Sequence, residues 1–227
     1  MNSPILITGT SKRVGHALVR SLVDAGHEVI TVNRSIADGH HNGALNFQAD
    51  LASREDRIEL IEKLRTTVSS LRGVIHNASL WLDDSLENLD YLFRIHVEAP
   101  FHLNTELAGL LSQAPRGDII HICDESASRG SKSHIAYAAT KAALQNMTLS
   151  FAATLAPNIR VNSVSPGLLI FKEDGDERYK QETLAKAVLP YEPGFQPLLD
   201  AVQFLLASTY TTGSNIVVNG GRHLKRS

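Results

Sequence analysis

The sequence predicts an α/β protein, a doubly wound parallel sheet of seven strands with helices on both faces. Three observations predict it. Short apolar runs alternate with longer amphipathic segments along the whole chain. The runs are continuously apolar, as parallel strands covered on both faces are. A glycine turn follows the first run directly, at the carboxyl end of a strand, where such sheets bind their ligands.

Taken in order, "PILITG" is the first strand and a helix follows from about Arg13 to Ala25. "HEVITVNR" and "ALNFQAD" are the second and third strands, with a helix starting near Arg54. "LRGVIHNAS", "RGDIIHIC", "NIRVNSVSP" and "SNIVVNGG" complete the sheet, with segments of helical length between them. No linker interrupts the pattern, so residues 1–227 read as a single domain. Between Leu168 and Phe195 a charged stretch, "FKEDGDERYKQE", is expected to form a loop and helix that close over a substrate, ending at Pro190, Pro193 and Gly194.

With 43% hydrophobic residues, the 227-residue chain can bury one substantial core. A net charge of −2 with dispersed cations leaves no basic stripe, so nucleic acid is not an expected partner. Cys123 is the only cysteine, which excludes an internal disulfide and any Cys-based zinc spacing, so no metal is expected. No apolar run approaches the ~20 residues of a membrane span. With no basic region ahead of Ile5, a signal peptide is not expected, and a cytoplasmic location is.

In "ILITGTSKRVGHAL", Gly9 and Gly15 let backbone amides and a helix N-terminus approach a pyrophosphate, with Ser11, Lys12, Arg13 and Val14 forming the turn between them. The second strand ends in Asn33-Arg34-Ser35, where an acid for a ribose 2′-OH usually stands. An arginine fork and a hydroxyl suit a 2′-phosphate instead, so the expected cofactor is NADPH. Asp50, followed by Leu51, is open to two readings, acceptor for the adenine amine or cap of the next helix. Asn77, Ala78 and Ser79 close the fourth strand beside the expected cofactor path, or form a plain strand-to-loop turn.

Tyr137 and Lys141 stand one helical turn apart, on one face. An ammonium there is expected to lower the tyrosine pKa from its ordinary value near ~10 and make it a usable proton donor. In order along the chain, "TGTSKRVG", "HNAS", "YAATK", "VNSVSPG" and "TTGSNIVVNGG" resemble the short-chain dehydrogenase/reductase family over nearly the whole length. The resemblance implies a Rossmann-like fold in which Tyr137 protonates the substrate, Lys141 holds the nicotinamide ribose and Pro166, Gly167 and Leu168 lie by the nicotinamide. It also implies a homotetramer.

Two departures from the family pattern carry more information. Asp124 stands where the family has a serine, and Arg13 where many dinucleotide turns have a glycine. With "NAS" and Trp81, both resemble the pteridine reductases within the family. A carboxylate would repel a developing alkoxide, whereas a dihydropterin is reduced at a C=N bond and offers amino and ring N–H groups to accept from. Expected substrate contacts are therefore Arg13, Ser79, Trp81, Asp124 and Tyr137, with Trp81 stacking on the pterin. A third departure is His96, where the family's relay asparagine would stand. It either holds a water or packs as an ordinary buried histidine. The activity these residues imply is NADPH-dependent reduction of a small-molecule 7,8-dihydropterin, catalysed by Tyr137, Lys141 and Asp124. A ketone reductase of the same family and a non-catalytic NADPH-binding regulator are the competing readings.

Overall fold

The computed structural model describes residues 3–35, 41 and 43–225. Strands β1 (Ile5–Thr8), β2 (Val29–Asn33), β3 (Ala44–Gln48), β4 (Gly73–His76), β5 (Gly117–Ile122), β6 (Ile159–Pro166) and β7 (Asn215–Val218) pair in parallel throughout, in the order β3-β2-β1-β4-β5-β6-β7. Each lies inside the apolar run that predicts it. The order reverses direction between β1 and β4, which opens a crevice above their carboxyl ends.

The helices are α1 (Arg13–Asp24), α2 (Arg54–Thr67), α3 (Leu86–Phe93), α4 (Ala99–Ser112), α5 (Ser126–Arg129), α6 (Ile135–Leu155), α7 (Glu177–Leu184) and α8 (Gln196–Ala207). Local chemistry sets their starts. Ser53, Ser85 and Asp176 each accept a backbone N–H from three residues on, capping α2, α3 and α7. Between α3 and α4 the chain widens into a π turn, Arg94–Glu98, with the Ala99 N–H reaching back to the Arg94 carbonyl. Pro100 explains it, because it lacks the N–H that would bond the His96 carbonyl one α-turn back.

The sheet divides two cores. Leu6, Val32, Val74, Ile119 and Val161 pack under α2, α4 and α6, while Ile5, Ile7, Ile75, Ile122 and Val164 pack under α1 and α8. At the amino ends of the strands, buried Asp118 pairs with Arg72 and Arg160, which donate onward to the last carbonyls of α8, Leu206 and Leu205. Those cations neutralise both the carboxylate and the negative end of the helix.

One polar network crosses the α4/α6 face at mid-sheet. His76 donates through Nε2 to Asn104 (2.8 Å), whose amide donates to His121 Nε2 (3.1 Å). His121 Nδ1 in turn donates to Thr148 Oγ1 (2.9 Å), and Thr148 donates to the Leu144 carbonyl (3.2 Å). Burial lowers His76 to about 4 and His121 well below the ordinary histidine value, so both rings are neutral.

Candidate active site

A cavity of about 1360 Å³ runs along the carboxyl ends of the strands, from the glycine turn after β1 to the end of β7. That is larger than the ~300–1,000 Å³ of a single small-molecule site and has room for a dinucleotide and a second ligand.

Its first end is built from backbone. Gly9 adopts φ +69°, and a Cβ there would lie 2.5 Å from Ala78 Cα. At Gly15 a Cβ would lie 2.1 Å from the Gly9 carbonyl. The turn is braced from both sides. Asn77 donates from its amide to the Gly9 carbonyl (2.7 Å) and the Thr8 carbonyl (3.2 Å). On the other side, Asn33 accepts from the Thr10 N–H (2.7 Å) and donates to Thr10 Oγ1 (2.8 Å). Asn33 and the Asn77–Ser79 segment thus hold the turn in shape as well as lining the cavity. No side chain caps α1 and its first turn has no acid, so its amides and positive dipole end face an anion site. Arg34 is exposed and Ser35 half-buried, both on the cavity wall beyond β2. Asp50 does not cap α2: Ser53 does, and Asp50 Oδ1 accepts from the Ala52 N–H (2.9 Å). Leu51 lines the cavity beside it. These residues fit a dinucleotide with a 2′-phosphate.

Arg13 has φ +50°, a left-handed backbone that glycine adopts freely and arginine rarely does. Its guanidinium reaches the Ile170 carbonyl (3.4 Å) on the segment after β6, bridging the turn to the far wall. Pro166, Gly167 and Leu168 line that wall, and a Cβ at Gly167 would lie 2.8 Å from Asn219 Cβ. Within the 168–195 segment, Leu169, Ile170, Lys172, Tyr179 and Thr183 face the same cavity. The segment is tied down at both ends, by the Gly194 N–H on the Leu169 carbonyl (2.9 Å) and the Leu189 N–H on the Gly220 carbonyl (2.9 Å).

The second end is built from side chains. Asp84, in the loop after β4, accepts the Ile135 and Ala136 N–H groups (2.9 Å each) and so caps α6 just ahead of Tyr137. Those bonds hold its carboxyl below the usual value. Tyr137 is buried and donates to Asp124 Oδ2 (3.3 Å), while Asp124 Oδ1 accepts the Ser126 N–H (2.8 Å). Asp124 therefore does two things at once, fixing the turn after β5 with one oxygen and presenting the other to the tyrosine.

The expectation that Lys141 lowers the Tyr137 pKa is overturned. Burial, then the Asp124 carboxylate, push it well above the ordinary tyrosine value, because a phenolate there would be desolvated and beside a like charge. The Lys141 ammonium lies 5.7 Å from the ring centre and donates to the Ile122 carbonyl (2.9 Å). Burial lowers its own pKa.

His96, on the π turn, has both ring nitrogens engaged by protein groups. Its Nδ1–H donates to Thr140 Oγ1 (2.9 Å), and Thr140 donates to the Tyr137 carbonyl (2.9 Å). Its Nε2 accepts the Leu80 N–H (3.4 Å) and the Ser79 hydroxyl (2.9 Å). Burial keeps the ring neutral. Ser79 spends its one hydroxyl proton on His96 and sets its oxygen beside the Tyr137 phenol, so His96 orients the hydroxyl that meets the phenol. Trp81 is 52% exposed and leans on His134 (centroids 4.1 Å) and Tyr137 (4.5 Å), extending an aromatic wall from the tyrosine.

Sequence reasoning missed Asp84, Glu125, Arg129 and Arg222. Glu125 is 5% exposed and is bonded twice by Arg129 (2.8 and 2.5 Å) and paired with Arg222 (3.1 Å). The only available signal was "GGRHL" near the C-terminus. Among the described residues no cluster of ligands suits a metal ion, and no helix is long and apolar enough to cross a membrane.

Known proteins resemble this chain in both sequence and fold. The chain is 40% identical to the dihydromonapterin reductase of Citrobacter koseri, over 98% of this chain and 97% of that protein. It is 41% identical to the dihydromonapterin reductase of Enterobacter sp. strain 638, over 97% of each. Among solved structures it is similar to FolM alternative dihydrofolate reductase 1 from Brucella canis, complexed with NADP. That similarity has a TM-score of 0.88 at 27% identity, covering 100% of this chain and 96% of that one. The Brucella suis counterpart, also in complex with NADP, gives 0.90 at 27%, covering 100% and 97%. The model of the short chain dehydrogenase family matches residues 3–177, and with this fold and site the chain belongs to that family.

Proposed function

We propose that the protein is an NADPH-dependent reductase of 7,8-dihydropterins, converting 7,8-dihydromonapterin to its tetrahydro form, with 7,8-dihydrofolate as a weaker substrate. The observation that carries this reading is Asp124 Oδ2 accepting from Tyr137 where a ketone reductase needs a neutral donor. The names of the relatives and the NADP complexes of the Brucella proteins support it. NADPH, when bound, supplies the hydride delivered to C6.

The chain's own residues do the rest. The glycine turn and the uncapped start of α1 receive the pyrophosphate, with Arg34 and Ser35 at the 2′-phosphate. Lys141 brings its charge to the nicotinamide ribose. Trp81 and Arg13 flank the pterin, and Asp124 accepts from its amino and ring N–H groups. Tyr137, held neutral by burial and by Asp124, hands a proton to N5. A phenolate left beside Asp124 is disfavoured, so the tyrosine takes a replacement proton from solvent to return to its resting state. The segment after β6 walls one side of the cavity, where it would limit water around a bound substrate. Exposed Phe101 on α4 and Leu149 on α6 support a homotetramer packed through these helices.

NADPH consumption with dihydromonapterin, dihydrofolate and a panel of ketones tests the reading. Turnover of both dihydropterins and none of the ketones is expected. Ketone turnover alone would make the protein a carbonyl reductase, and no turnover at all a nucleotide-binding regulator.

A further inference from the structure

Beyond Asp124, at the β5–β7 side of the cavity, stands a charge cluster with no part in the chemistry above. Its centre is Glu125, buried and ionically paired on two sides. Arg129 is engaged at all three nitrogens: Nε and Nη2 bond the carboxylate, and Nη1 bonds the Gly130 carbonyl (3.0 Å). Arg222 meets the same carboxylate through Nε alone, at 3.1 Å. Its two Nη nitrogens have no partner among the described residues, and the residue lines the cavity.

The chain goes to conformational lengths to put Arg222 there. Gly220 and Gly221 are both left-handed (φ +60° and +73°), and a Cβ on Gly221 would lie 3.1 Å from Val188 Cβ. One carboxylate shared between two guanidinium groups leaves one positive charge over, and it resides on the fork of Arg222. Lys186, exposed at the end of the 168–195 segment's helical turn, adds a second cation to the same lining. Ser126, 4% exposed, lines this end too, and its Oγ has no hydrogen-bond partner among the described residues. A fork held by its Nε with both Nη groups unpaired is a receptor for a planar or tetrahedral oxyanion.

We propose that Arg222, oriented by Glu125 and assisted by Lys186, forms a subsite for an anionic group, carboxylate or phosphate, carried on the side chain of the pterin. This rests on the pterin reading of the site and adds that substrates are sorted by the charge of their tails. Buried Glu125 is a positioning residue here, since it acts only through the arginine it holds.

The test compares three substrates under NADPH: neutral dihydromonapterin, dihydrofolate with its carboxylates, and a phosphate monoester of 7,8-dihydroneopterin. For Arg222→Gln, the kcat/KM ratio of each anionic substrate to dihydromonapterin should fall about tenfold, the loss expected for one charge-assisted bond. The salt dependence of KM for the anionic substrates should weaken at the same time. A fall confined to dihydrofolate assigns the subsite to carboxylates, and one confined to the monoester assigns it to phosphates. Lys186→Gln, on the surface, should move the ratios the same way by roughly twofold to fivefold. Equal losses on all three substrates, or unchanged ratios in both variants, would overturn the subsite while leaving dihydropterin reduction intact. A wild-type protein that reduces none of the three would overturn both.

Discussion

Two histidine networks lie on the same face of the sheet and are built from the same parts, yet they do opposite jobs. At mid-sheet, His76 and His121 are joined through Asn104 and end on Thr148, so the chain of bonds closes inside the protein. Near the strand ends, His96 is just as buried and just as neutral, but its chain runs through Ser79 to Tyr137 and opens into the cavity. A closed network fixes the fold, while an open one transmits that fixity to the group proposed to react. The difference lies in the last member, a threonine bonded to its own helix in one and a tyrosine facing a carboxylate in the other.

Breaking the open end should have the largest effect. Tyr137→Phe keeps the ring and removes the proton, so kcat should fall ~10²–10⁴-fold with NADPH affinity nearly unchanged, as read by steady-state kinetics and cofactor titration. A smaller fall would make solvent the donor.

Acid should break the closed network next. Because His76 drops from 6.5 in the unfolded chain to about 4 in the folded one, the unfolded state binds more protons in between. The stability that neutral His76 contributes is complete above the unfolded value and is lost as pH falls from 6.5 towards 4, by about 3 kcal/mol. His121 and His96, lowered by burial as well, steepen the loss. Chemical denaturation followed by circular dichroism between pH 7 and 4 measures it, and a flat profile would mean the rings are solvated.

Asp124→Asn sharpens the contrast from the other side, preserving shape while removing charge. Dihydropterin turnover should drop roughly ten- to a hundredfold. The Tyr137 titration, followed by ultraviolet difference absorbance, should move down because a like charge is gone. Unimpaired turnover would remove Asp124 from the mechanism. The smallest effect is expected from His96→Asn, which shortens the bracket behind Ser79. A loss of about tenfold in kcat, with KM and folding little changed, would mark a residue that aims the hydroxyl.

The strands were legible because a continuous apolar run of strand length needs no tertiary information, and Tyr137 and Lys141 because helix geometry alone puts them on one face. The tyrosine's acidity was not. It depends on burial and on Asp124, thirteen residues earlier in the chain, and the ammonium that local spacing suggested as its partner is turned to a carbonyl. Asp84 was hidden for a similar reason, since it caps a helix 51 residues away. The π turn had a visible cause, Pro100 four residues after His96, but only the fold shows that the widened turn carries the histidine under Ser79. Arg222 needed two left-handed glycines to be brought to Glu125, and a sequence records only that the glycines are there.

Arg13 gives the molecule an uneven mutational landscape. A non-glycine residue in left-handed backbone costs about 1–2 kcal/mol, so at this position the easiest single change for the backbone is to glycine. Selection for thermal stability alone would drift towards that change, since the fold rests on the turn's shape and the arginine side chain is exposed. Selection for activity would hold the arginine in place, because its guanidinium spans from the glycine turn to the opposite wall of the cavity. A library screened first for heat resistance and then for turnover should therefore split at residue 13.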